Sequence, residues 1–535
     1  MTEYLSLWQQ PQKLIFDLGN LVNDKYTGIF NTTLTATFFH SDVATNSATS
    51  SASNPPSDLI IPISARQSSQ NGVSQFTLPK DNATNLVSNF PRNARRAVFS
   101  VSANGQGTEE FWWSNVLQSD ADAFADTDVG SLPGLSPFRE VQVLIDGQLA
   151  GVYWPFPVIF TGGVVPSLHR PIAGVEAFDL KEHEIDITPW LGVLTDGKPH
   201  EFSIRVAGIN DTLSPSGQGR TGVLTERVNE SWYVTGKIFI WTGGAGSSPS
   251  RGGGHSRNTP TVDGLIPSIS LSSIRTPSSS NSSSSNSTVP ESITYTTTVT
   301  RSLRVRSPLG TWTQSLSYTN KGLVSAQGYN QLNDMLISGS ESSSSPFSSS
   351  SATDYHTTYT YPLFANSSYS VSPTGNLSIA GHLIQGKTLT LSGSSVFPDY
   401  DTVAFNGNGR EPKYKESRLE TKKEGQAWYE QTGDGKTSTG NGDSKQVLRF
   451  AGVKSKTGKG EELYFRDVEA KGGKVVRDVK RMRGREVGTV TGLEVGVTAG
   501  EGGQRDAGVF GGVPVPVKGV KRGGAMRMFL GRNRF

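Results

Sequence analysis

The sequence predicts an all-β protein: tandem β-sandwich or jelly-roll domains joined by a Ser/Gly-rich linker and followed by a disordered basic C-terminal tail. Three observations lead there. The 535 residues include 60 Gly and 28 Pro, with only 34% hydrophobic and 18% charged residues, a composition of short strands, many turns and some unstructured chain. Apolar residues alternate with polar ones at a period of two, as a strand with one buried face requires. No apolar stripe of helical spacing matches these segments in length.

The length exceeds what one ordinary core supports, so two or three domains are expected. In order, Leu34/Ala36/Phe38, Ala97/Phe99/Val101, Val141/Val143/Ile145, Phe202/Ile204/Val206 and Ile238/Ile240 read as strands. Asp146-Gly147, between two of these runs, has the residues a tight hairpin demands. Residues 1–91 are assigned to an incomplete first sandwich and 92–243 to a second one. The stretch 244–290 turns Gly- and Ser-rich and is expected to be a linker or a very long loop. Strand patterning resumes over 291–482 as a C-terminal β domain, with a Ser-rich interruption near 338–352. Beyond 483, Gly, Val and Arg dominate and disorder is expected.

Charge is uneven. Residues 401–535 carry 27 Lys+Arg against 17 Asp+Glu, and residues 1–400 carry 23 against 30. The basic tail is the one electrostatic invitation to an anionic partner, and no nucleic-acid partner is expected. With no cysteine, a disulfide scaffold, a zinc-thiolate site and a cysteine nucleophile are excluded. The seven histidines never pair at ligand spacing, so neither metal nor cofactor is expected. No run of about 20 apolar residues predicts a membrane span. The start, Met1 to Trp8, has neither the basic nor the apolar region of an export signal. Esterase-elbow, His-Glu-x-x-His and dinucleotide fingerprints are absent, and Gly435-Lys436-Thr437 lacks the glycine of a phosphate loop.

The densest cluster of unusual residues runs from Gly105 to Val116, with Glu109-Glu110-Phe111-Trp112-Trp113 at its centre. Two carboxylates beside two indoles at a strand end suit proton transfer beside a platform for a sugar face. A turn whose aromatics plug the core, with solvated glutamates, explains the same residues. A second stretch, Trp154 to Pro171, combines prolines and paired glycines with Arg170, a cation fit to hold a carboxylate or carbonyl; it also reads as a crossover between sheets. A third, Glu184 to Trp190 followed by Asp196 to His200, reads most simply as strand, turn and strand. Eight Asn-x-Ser/Thr sequons occur, at Asn31, Asn82, Asn210, Asn229, Asn281, Asn286, Asn366 and Asn376, about as many as chance gives in so Ser-rich a chain.

Taken in order, Glu-Glu-Phe-Trp-Trp-Ser-Asn (109–115), Val-Gln-Val-Leu-Ile-Asp-Gly (141–147) and Trp-Pro-Phe-Pro-Val-Ile-Phe-Thr-Gly-Gly (154–163) resemble the peptide-N4-(N-acetyl-β-glucosaminyl)asparagine amidase A family, the acidic glycoamidases of plants and fungi. Arg-Pro-Ile (170–172), Ala-Phe-Asp-Leu (177–180), Ile-Asp-Ile-Thr-Pro (185–189) and Leu-Thr-Asp-Gly-Lys-Pro-His (194–200) extend the likeness, as do parts of 10–37, Gly425–Tyr429 and Asp467–Ala470. The resemblance implies a secreted or secretory-pathway hydrolase that cuts the amide between an Asn side chain and the first GlcNAc of an N-glycan. It would need carboxylates and no cofactor. It implies Glu110 as the catalytic or water-orienting carboxylate, Glu109 as the neighbour that raises its pKa, Trp112 or Trp113 stacked on GlcNAc, and Asp146 and Arg170 as further substrate contacts.

Two departures accompany it. Family members carry an upstream Phe/Trp-Asp-Arg motif, so the chain is expected to be an N-terminally truncated form that lacks the principal catalytic Asp. His169 stands where a Trp is usual before Arg-Pro-Ile. Two other functions fit the residues: a glycan-binding sandwich without turnover, and a jelly-roll glycoside hydrolase. The latter requires Glu110 and Asp146 to face each other across one cleft.

Overall fold

The computed structural model describes residues 57–64, 74–172, 174, 181–213, 220–243, 259–278, 289–344, 355–393, 414–454 and 457–491, with a few positions before residue 30. The expected strand at Leu34–Phe38 and the sequons at Asn31, Asn281 and Asn286 lie outside the described residues.

The protein is all-β. Ten strands build a sandwich: β1 (Leu59–Pro62), β2 (Phe76–Leu78), β3 (Thr84–Val87), β4 (Ala94–Gln106), β5 (Glu140–Ile145), β6 (Gln148–Tyr153), β7 (His183–Asp186), β8 (His200–Leu213), β9 (Arg220–Thr225) and β10 (Ser231–Thr242). One sheet runs β1-β10-β4-β7, with β2 also on β10. In the other, β8 pairs with β3, β5 and β9, and β6 closes a hairpin with β5. The alternation read from the sequence sets what faces inward. Phe99 and Val101 on β4 and Phe202 and Ile204 on β8 are buried, and the Phe99 and Phe202 rings stack at 6.3 Å. The opposite face of β4 and β10 carries Val98, Phe239 and Trp241 as a separate apolar patch with Ile60.

The C-terminal module is one antiparallel meander: β11 (Thr261–Asp263), β12 (Ser268–Thr276), β13 (Ser292–Ser307), β14 (Gly310–Ser325), β15 (Asn330–Ser344), β16 (Tyr355–Val371), β17 (Leu377–Gly393), β18 (Tyr414–Gln431), β19 (Ser438–Lys454), β20 (Gly460–Lys471), β21 (Lys474–Met482) and β22 (Arg485–Thr491). From β12 to β22 every strand pairs with the next, and β11 pairs with β13. A bridge between Leu271 and Arg220 joins its edge to β9. Along β14 the residues Trp312, Gln314, Leu316 and Tyr318 are buried and their neighbours are not. One face of the meander therefore packs on the sandwich and the other meets solvent.

Strands enter three stretches expected to be linker, interruption or tail. Residues 261–276, inside the expected linker, form β11 and β12. Serine dilutes the apolar content there, yet Ile269 and Leu271 keep the period of two, and pairing along β13 satisfies the backbone. β15 likewise runs to Ser344, into the second Ser-rich stretch, and β22 enters the expected tail; residues 492–535 lie outside the described residues.

Sandwich and meander share one core. Phe138 meets Trp154 and Tyr318 edge-on at 5.2 and 5.1 Å. Arg301 of β13 donates to Glu140 of β5 at 2.9 Å, with both side chains fully buried. The Gln314 amide pairs with both backbone groups of Val152, at 2.9 and 2.8 Å. The two modules are therefore one packing unit, stitched by polar side chains that satisfy each other where water is excluded.

Candidate functional site

The 105–116 cluster begins where β4 ends. The backbone folds back so tightly that a Cβ on Gly105 would lie 2.2 Å from the Glu109 carbonyl oxygen. Gly107 takes φ +59, and a Cβ there would meet the Glu230 carboxylate; Thr108 N–H donates to that same carboxylate at 2.8 Å. Glycine is needed at both positions, once for close approach and once for φ.

This turn separates the two glutamates. Glu109 is 0% exposed. Its carboxylate accepts a bidentate pair from Arg139 at 2.7 and 2.7 Å, Asn229 N–H and Nδ2 at 2.9 and 3.0 Å, and Trp232 Nε1 at 2.8 Å. Burial alone would push its carboxyl up, but the Arg139 guanidinium and these donors hold it at about 2. Arg139 spends its remaining donors on the carbonyls of Leu135, Ser136 and Phe138. Glu109 is thus a structural anchor with its charge fully paired. Glu110, one residue on, is half-buried, and its N–H closes the turn on Gly107 O at 3.1 Å.

The indoles are also corrected. Trp112 and Trp113 are each 3% exposed. Trp112 packs beside Trp232 and Trp113 stands edge-on to Phe111, so neither offers a face to a sugar. The core-plug reading holds for both. Asp146 lies in a turn. With φ 49, followed by Gly147 at φ 77, it forms the β5–β6 hairpin turn and accepts from His200 Nδ1 at 2.7 Å and Glu201 N–H at 2.9 Å. Arg139 precedes β5 and Asp146 follows it, so the strand's rise of about 3.4 Å per residue puts their backbones about 24 Å apart. The turn that carries Glu110 is thus anchored, through Glu109, at the opposite end of β5 from Asp146, whereas a glycoside hydrolase needs its two carboxylates across one cleft.

The two motif loops do meet. β6 returns antiparallel to β5 and delivers Trp154 to Glu140, where its Nε1 donates at 3.0 Å. The 154–171 loop therefore starts at the same end of the sandwich as Glu109, and Phe111 lies against Gly163. Both loops press on the inner face of the meander: Asn320 Nδ2 donates to Trp113 O at 2.8 Å, Gln331 to Ser114 O, Gln385 to Pro157 O, Lys423 Nζ to Ile159 O at 2.9 Å, and Ser167 Oγ to Trp428 O at 2.6 Å. Arg170 is half-buried in this seam beside Tyr429, and burial lowers its pKa. His169, at 1% exposure, is held neutral, with burial first and Lys423 second bringing it to about 3. Its ring is covered by Gly425 of β18.

The same seam underlies a cleft of about 740 Å³ on the solvent face of β14–β19. Trp428, His382, Gln426, Asn366, Asn441 and Asp443 line it. The sequon asparagines Asn82, Asn210, Asn229, Asn366 and Asn376 are exposed, and the Asn229 amide donates to Glu109 at 3.0 Å and to Gly134 O at 3.1 Å. Among the described residues no cluster of His, Asp and Glu is placed to hold a metal ion, and no helix is long and apolar enough to cross a membrane.

Sequence reasoning missed Arg139, Asn229 and Trp232, which decide what Glu109 does; they lie 30, 120 and 123 residues from it, with no local signal. It also missed the cleft, although Gly425–Tyr429 was singled out as a family-like stretch.

The comparisons agree with the resemblance. The family model described as peptide N-acetyl-beta-D-glucosaminyl asparaginase amidase A matches residues 1–258, and that of the PNGase_A C-terminal domain matches 294–363. A curated relative from Prunus dulcis, peptide-N4-(N-acetyl-beta-glucosaminyl)asparagine amidase A, is 36% identical over 248 residues, 45% of this chain and 39% of its own length. The chain thus spans about two fifths of that relative. No solved structure matches. The chain belongs to the peptide-N4-(N-acetyl-β-glucosaminyl)asparagine amidase A family.

Proposed function

We propose that this protein hydrolyses the amide bond between an Asn side chain and the first GlcNAc of an N-glycopeptide or N-glycoprotein, without a metal, and that Glu110 is its catalytic carboxylate. The observation that carries the reading is the convergence of the two family motif loops, 105–116 and 154–171, at one end of the sandwich, with half-buried Glu110 held on the Glu109–Arg139 anchor. Glu110 takes a proton from water as its oxygen adds to the amide carbonyl. Glu110 then gives that proton to the departing nitrogen as the C–N bond breaks, which leaves Asp and a glycosylamine that decays to ammonia and free glycan. Glu109 acts through the backbone, as a positioning residue. The substrate class supports placing the protein in the secretory pathway.

Glu110→Gln separates this role from a structural one. Loss of a general base is worth about 10²- to 10⁴-fold in rate, so turnover of a defined N-glycopeptide should fall by that factor while the urea midpoint stays put. A Glu110→Gln protein that turns over at the wild-type rate would remove Glu110 from the mechanism.

A further inference from the structure

On β14–β19 the strand registers align two rows of outward-facing residues. One runs Leu323, Leu332, Asn366, His382, Gln426, Asp443, and the adjacent one Ser325, Asn330, Ser368, Ala380, Trp428, Asn441. Both rows line the 740 Å³ cleft, which crosses six strands, about 24 Å at about 4.8 Å per strand. We propose that this cleft binds a neutral oligosaccharide, with the Trp428 indole as its stacking platform.

Trp428 is 44% exposed, and its cross-strand neighbour Ala380 is too small to cover the ring. Gln426, Asn441, His382 and Asp443 surround it on the same face, a mix of donors and acceptors suited to hydroxyl groups beside a surface that takes C–H faces. Phe364 fixes the His382 ring edge-on at 5.7 Å. The floor is held from behind: a Cβ on Gly381 would meet Val165, one on Gly442 would meet Ser167 O, and Ser167 Oγ bonds Trp428 O at 2.6 Å. The cleft therefore keeps its shape without ligand, as small-molecule sites of this volume do.

Other ligand classes fit less well. No Arg or Lys lines the cleft, which argues against phosphates and nucleic acid. It lies in the middle of a sheet, where every strand is paired on both sides, so a peptide has no backbone edge to extend. Half of its lining residues carry an amide, hydroxyl or imidazole spread along its whole length, which argues against lipid. The site lies on the opposite face of the meander from the Glu110 loop, and the inference rests on the cleft's own chemistry, independent of the amidase reading.

The test is calorimetric titration of the full chain, produced in a host without N-glycosylation because glycan on Asn366 would itself fill the cleft. The probes are the free N-glycan core oligosaccharide and a chito-oligosaccharide, neither of which contains the scissile amide. Binding by the wild-type chain, weakened about tenfold or more by Trp428→Ala and also weakened by Gln426→Ala with Asn441→Ala, is expected. Unchanged affinity in the folded Trp428→Ala protein, or no binding of either probe to the folded wild-type chain, overturns the proposal. The Glu110→Gln protein should bind both probes as the wild type does, so failure of the amidase reading and failure of the cleft give different results.

Discussion

Arg139→Met is expected to destabilise the protein by about 3–5 kcal/mol, because it strands the fully buried Glu109 carboxylate and leaves its other donors to carry the charge alone. Glu109→Gln should cost a similar amount by stranding the guanidinium. The double replacement Glu109→Met with Arg139→Met should recover much of either loss, since it removes both charges and fills the space. Urea unfolding of the four proteins measures this. Acid provides a second view of the same pair. Glu109 is held at about 2 against an ordinary 4.5. Its contribution, about 3 kcal/mol for a shift of that size, is complete above about pH 4.5 and is lost as pH falls toward 2. Wild type should therefore lose stability more steeply than Glu109→Gln between pH 5 and 2. Additive single losses and parallel pH curves would show that the pair is not what holds the motif turn.

Arg301→Met is expected to have an effect of comparable size, for a different structural reason. Glu140 accepts from Arg301, Gln142 and Trp154, and Arg301 also donates to the carbonyls of Gly264 and Leu265, so one guanidinium ties β13, the β11–β12 connection and β5 together. Losing it should cost about 3–5 kcal/mol. Because Phe138, Trp154 and Tyr318 make one core across sandwich and meander, the loss should appear as a lower midpoint of a single transition followed by tryptophan fluorescence and by far-UV dichroism alike. Two transitions in the wild type would contradict the shared core.

Much of this architecture is legible in the residues. Val141/Val143/Ile145 and Phe202/Ile204/Val206 alternate at the period of a strand, and the structure pairs those two runs directly. Asp146-Gly147 reads as a hairpin turn and is one. The strands within 261–276 were hidden because composition and periodicity disagree there: serine suggests an unstructured chain, while Ile269 and Leu271 still alternate. At the candidate site the limit is different in kind. Glu109 and Glu110 are adjacent and chemically equivalent, and only Arg139, Asn229 and Trp232, distant in sequence, make one an anchor and leave the other half-buried. Trp112 and Trp113 posed a choice between platform and core plug that composition could not decide, and burial decides it. The cleft depends on strand register across β14–β19, which no local pattern encodes.

The central claim is amidase chemistry, and mass spectrometry of a defined N-glycopeptide tests it most directly, after incubation with the folded chain at mildly acidic pH in water enriched in heavy oxygen. The account predicts Asp carrying the label at the former glycosylation site, together with released glycan, and neither product with the Glu110→Gln protein. An intact glycopeptide after incubation with the folded wild-type chain, or a peptide that keeps its first GlcNAc, would contradict it.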